Sequence, residues 1–95
     1  MEFKIPKKFT LAGQDIKICF TDIIKEEPGT DGLACYNENA IYLTKRNSGG
    51  YQNWVFFHEL THHILNQMGE AELRSNEKFV DVFSTFLYQA IKTMR

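Results

Sequence analysis

"WVFFHELTHHILNQMGE" spans residues 54–70 and carries all three histidines of the chain within six positions. His58 and His62 stand four apart, with Glu59 directly after the first. Residues four apart on an α-helix project from nearly the same face, so both imidazoles can meet one ion. No Gly or Pro interrupts the run before Gly69, a residue suited to a helix C-cap. The pattern therefore predicts a helix from about Tyr51 to Gln67.

Two imidazole nitrogens at this spacing suit the tetrahedral preference of zinc. Glu59 lies about 100° round the helix from His58, too far to share the ion comfortably. It can instead accept a proton from a water held there, because bound zinc brings the pKa of that water to roughly 7. This is the logic of H-E-x-x-H, with Glu59 as general base and later proton donor to a leaving amine. A core helix with incidental histidines is the bland alternative, and the spacing together with the glutamate favours the metal. His63, about 140° from His58, is read as a partly exposed bystander.

Such a motif needs a third ligand. A continuation H-x-x-G-x-x-H is excluded, since Leu65 and Met68 occupy those positions and no histidine follows His63. A carboxylate remains. "NEKFVD", residues 76–81, places Glu77 and Asp81 four apart on a second predicted helix running from about Ser75 to Lys92. They share a face with Ser84 and Tyr88, whereas Phe79, Phe83, Phe86 and Ala90 form the other face and read as core. Facing helices would bring Glu77 to the metal beside His58 and His62, leaving a fourth position for water. Asp81 suits the orienting contact that a ligating histidine makes through its other ring nitrogen. Glu70 and Glu72 rank lower, because they fall near the interhelical turn without a companion acid at +4.

The N-terminal half reads as strands and turns. "QDIKICF" alternates Ile16, Ile18 and Phe20, and "KEEPGTDG" is a loop. "LACY" and "AIYL" flank "NEN" as a hairpin. The expected class is α+β: a small antiparallel sheet followed by an active-site helix and a glutamate helix, in one domain over residues 1–95. "AIYL" is the candidate edge strand for pairing with an extended substrate. Tyr36, Tyr42 and His63 remain open as stabilisers of a developing oxyanion, with Tyr88 too far along its helix.

Composition agrees with a compact domain: 43% hydrophobic and 14% aromatic over 95 residues. A net charge of -1 gives no reason to expect nucleic acid as a partner. No apolar run is long enough to span a bilayer, and "MEFKIPKKFT" lacks the apolar stretch of a secretory signal. Cys19 and Cys35 are accordingly expected to be reduced thiols in the cytoplasm.

"HELTH" followed by "NEKFVD" resembles the gluzincin class of zinc metallopeptidases. "LACYNENAIYLTK" followed by "WVFFHELTHHIL" and "EKFVDVFSTFL" looks like the ImmA/IrrE family of small metallopeptidases, common in phages and mobile elements. The resemblance covers roughly residues 33 to 90 and implies a minimal zincin-like fold and a zinc-dependent endopeptidase. It carries His58, His62 and Glu77 over as ligands and Glu59 as the catalytic glutamate. It also implies a protein or peptide substrate, in known cases a transcriptional repressor. A weakly active or inactive regulatory module that keeps zinc for stability is the competing expectation.

Overall fold

The computed structural model describes residues 3–95. Four strands come first: β1 (Lys8–Leu11), β2 (Gln14–Thr21), β3 (Gly32–Cys35) and β4 (Ala40–Thr44). Three helices follow: α1 (Gly49–Met68), the single turn α2 (Ala71–Arg74) and α3 (Glu77–Thr93). The class is α+β, as expected. Neither β1 nor α2 is signalled by its own periodicity, since each is only four residues long.

The strand order is β1-β2-β4-β3. The β3–β4 hairpin forms as expected, but the sheet is mixed: β4 runs parallel to β2 and antiparallel to β3. "AIYL" is therefore interior, and β3 is the edge. Burial explains the swap, for Ala40, Ile41 and Leu43 are fully buried and need neighbours on both sides. The loop between β2 and β3 crosses the end of β4. The Thr44 N–H donates to the Asp31 carbonyl at 3.1 Å, and the Lys45 N–H donates to the Thr21 carbonyl at 2.9 Å.

Helix α1 is packed on two sides. Val55, Phe56 and Phe57 join Ile16, Ile41 and Leu43 in the main core, and Phe3 and Ile5 pack against this cluster from the N-terminal segment. The helix ends in a Schellman motif: Gly69 adopts φ 75°, its N–H bonds the Asn66 carbonyl, and the Glu70 N–H bonds that of Leu65. Helix α3 opens with Asn76 as N-cap, its side chain accepting from the Phe79 N–H at 3.0 Å. The Asn of "NEKFVD" thus fixes where the helix carrying Glu77 begins.

The face of α3 turned to the protein is not the expected one. Val80 and Ser84 are fully buried, with Leu87, Tyr88 and Ile91 packed against the core, whereas Phe83 and Phe86 remain 45% and 65% exposed. Phe79 stacks on Phe83 along the outer stripe. The inner face is the Glu77 face. Tyr88 stacks on Phe57 with centroids 5.3 Å apart, and Trp54 Nε1 donates to Thr85 Oγ1 at 2.9 Å. No helix among the described residues is long and apolar enough to cross a membrane. Cys19 and Cys35 are both free.

Asp31 holds the crossing loop in place. Its carboxylate accepts from Arg46 Nη2 at 2.7 Å and from the Tyr51 hydroxyl at 2.6 Å. Hydrogen bonds from Tyr51, Asn47 and Arg46 lower its pKa to about 2. A depressed carboxylate pKa stabilises the fold above the unfolded value near 3.8, and that contribution fades as pH falls from there towards 2. Asp31→Asn should cost about 1 kcal/mol at pH 6 in urea denaturation. The gap from wild type should narrow between pH 4 and pH 2.

Candidate metal centre

His58 and His62 project from α1 towards the first turn of α3, as the four-residue spacing requires. Across that gap, Glu77 Oε2 lies 3.2 Å from His58 Nε2, and Glu77 Oε1 lies 3.3 Å from His62 Nε2. One ligating atom from each of the three residues falls within 4.8 Å of the others. Two ligands at about 2.0–2.1 Å in tetrahedral geometry stand roughly 3.3 Å apart, so this donor set fits a small divalent cation. Two imidazoles and a carboxylate suit zinc and also other first-row transition metals. The two rings are shielded, at 13% and 12% side-chain exposure, while Glu77 is 64% exposed. The site is thus closed on the α1 side and open towards the cleft.

Both imidazoles are held from behind. His58 Nδ1 lies 2.9 Å from Asp81 Oδ1, so Asp81 stands where the sequence expects it, behind His58. That contact lacks the alignment of a hydrogen bond, which leaves the buried Nδ1 without a linear partner. The backbone carbonyl of Arg74 acts on the His62 ring and favours its protonated form. Burial lowers the His62 pKa, opposed by the Glu77 carboxylate, and this favours the neutral form that binds metals. The Arg74 contact is a backbone one, contributed by the short α2, and no side-chain pattern announces it.

Glu59, about 100° round α1 from His58, lies against edge strand β3. It is 8% exposed, and the Ala34 backbone beside its carboxyl favours the charged form. Burial first, and the neighbouring Glu77 charge second, push its pKa up to about 8. Gly32 makes this seat possible. A Cβ there would stand 2.5 Å from Val55 Cγ1, 3.1 Å from Glu59 Cγ and 3.2 Å from Glu59 Oε2. "GLAC" thus contains a glycine required by close approach rather than by a turn.

His58, Glu59, His62 and Glu77 line one cleft of about 510 Å³ together with β3 residues and Tyr36. Glu70 and Glu72 lie outside both this cleft and the donor group. His63 is corrected: it is 1% exposed, because its side of α1 faces the sheet, and its Nε2 lies 2.8 Å from the Ala40 carbonyl oxygen. Tyr88 stacks in the helix interface and Tyr42 bonds Glu38, so neither reaches the site. Comparison with family models, curated proteins and solved structures returned no match.

Two measurements test this geometry. In zinc titrations against a competing chelator, Glu77→Ala should weaken binding by about 100-fold or more. Asp81→Asn should weaken it by about 10–100-fold, with Glu70→Ala and Glu72→Ala unchanged. In thermal or urea denaturation, Gly32→Ala should cost about 1–3 kcal/mol through overpacking. Adding Val55→Ala should recover part of that loss, since it removes the nearest obstruction.

Proposed function

We propose that this chain is a small zinc-dependent endopeptidase of the gluzincin kind, similar to the ImmA/IrrE metallopeptidases, acting on a protein or peptide substrate. The observation that carries the reading is the convergence of His58, His62 and Glu77 in the same cleft as a buried Glu59. A zinc ion held there would supply a Lewis acid for the scissile carbonyl and an acidified water.

The chain's own groups account for the remaining steps. His58 and His62 enter as neutral donors and Glu77 as a charged one, leaving one position of a tetrahedral site for solvent or substrate. Glu59 takes a proton from the attacking water. A carboxylate whose pKa is raised takes that proton up more readily than a free one, and it then carries it to the departing amide nitrogen. A bound cation offsets the Glu77 charge that acts on Glu59, so the raised value falls when the site is loaded. Edge strand β3 borders the cleft and is the strand to which an extended peptide would add, the role expected of "AIYL". Clearance at Gly32 keeps Glu59 beside that edge.

A purely structural zinc module is less well supported. Burying a carboxyl that must be protonated or compensated costs stability and adds nothing to a structural site. Such sites typically close with four protein ligands, whereas three protein donors converge here. A cytoplasmic location is part of the proposal, supported by two free cysteines. A transcriptional repressor as substrate rests on the resemblance alone.

Purified protein should carry about one zinc per chain. Glu59→Gln should keep that zinc while peptide cleavage falls by about 10²–10⁴-fold. Equal cleavage by the variant and the wild type would remove Glu59 from its role.

A further inference from the structure

Four tyrosines occur in the chain, and the hydroxyls of three are engaged. Tyr42 donates to Glu38, Tyr51 donates to Asp31, and Tyr88 accepts from Asn53 Nδ2 at 3.4 Å. The Tyr36 hydroxyl has no protein partner among the described residues. Tyr36 follows edge strand β3 directly and lines the cleft with His58, Glu59, His62 and Glu77.

Its ring is gripped on two sides. The Arg74 guanidinium carbon sits 5.1 Å from the ring centroid, a cation–π contact. His63 meets the ring edge-on at 5.2 Å and 79°. Each of these neighbours is itself anchored: Arg74 Nη1 donates to Asn66 Oδ1 at 2.5 Å, and His63 Nε2 is held at the Ala40 carbonyl. A hydroxyl on a clamped ring, with no partner among the described residues and on a residue that lines the cleft, is a preorganised donor. It needs no reorganisation when charge develops in front of it.

We infer that Tyr36 donates its hydroxyl hydrogen bond to the substrate carbonyl oxygen as that oxygen becomes negative. The role rests on the peptidase reading. Water forms the new C–O bond, the carbonyl π pair moves onto oxygen, and Glu59 takes the water proton. Tyr36 stabilises that oxygen without losing its own proton. When the C–N bond breaks, the electron pair returns to re-form the carbonyl, and the Glu59 proton passes to the departing nitrogen. Burial raises the Tyr36 pKa, opposed by the Arg74 cation and supported by the acidic Glu59 and Glu77, so the phenol stays a donor at neutral pH. The buried His63 thereby acquires a positioning role: it holds the ring that carries the donor.

The test uses the zinc-loaded protein, a quenched-fluorescent peptide library, and then the best-cleaved peptide for kinetics. Tyr36→Phe keeps the ring and removes only the hydroxyl. It should lower kcat by about 10²-fold, with KM within about twofold, zinc content at one per chain, and an unchanged melting temperature. A phosphinic peptide built on the same sequence, which mimics the tetrahedral stage, should lose affinity in step with kcat/KM. Tyr42→Phe, outside the cleft, should cleave as wild type does. A Tyr36→Phe protein with wild-type kcat, or with its loss in KM or zinc content, overturns the role of Tyr36. If wild type and Glu59→Gln both leave every peptide intact, the peptidase reading fails and takes this role with it. If Glu59→Gln is silent while Tyr36→Phe equals wild type, the role of Tyr36 alone fails.

Discussion

The centre depends on one approach: the first turn of α3 brings a single carboxylate to two imidazoles on α1. Glu77 spans His58 and His62, one oxygen to each. That contact exists only because the helices pack closely, and small or flat side chains set the distance. Ser84 is fully buried, with its hydroxyl donating to the Val80 carbonyl of its own helix, and Tyr88 lies flat on Phe57. The other constraints support this packing. The Gly69 cap stops α1, α2 turns the chain through Arg74, and Asn76 restarts a helix one residue before Glu77. Because each terminus has its own chemical stop signal, the carboxylate arrives in register with the histidines.

Most of the donor group was legible because it obeys helical periodicity. His58 and His62 are four apart, as are Glu77 and Asp81, and the structure brings three of these four together with Asp81 directly behind His58. The core face of α3 was misread for an instructive reason. Both faces are apolar, and aromatic bulk favours Phe79, Phe83 and Phe86 over Val80, Leu87 and Ile91. Yet Glu77 can reach α1 only if its own face turns inward, so the ligand assignment already excluded the aromatic stripe from that interface. A requirement that separate readings be mutually consistent would have decided it. Other features leave no local trace. His63 is hidden by the sheet, His62 is acted on by a backbone carbonyl, and Gly32 owes its identity to a neighbour twenty-three residues on.

Glu59 shows how a small domain divides stability from chemistry. Its carboxyl is buried against β3 beside the Ala34 backbone, an arrangement that opposes folding. Aromatic packing among Phe3, Phe56, Phe57 and Tyr88 elsewhere on the same helix offsets it.

The interior position of β4 also constrains the order in which the chain assembles. When β2 and β3 have left the ribosome, the two strands have no common hydrogen-bonded border, because the place between them belongs to a segment still to come. The hairpin of β3 and β4 can close locally, within a few residues, and must then attach to β2 as a unit through the parallel pairing. Until that docking occurs, the border of β2 that β4 will occupy presents unpaired backbone N–H and C=O groups. The edge that would meet a peptide takes shape only when the centre of the sheet is sealed.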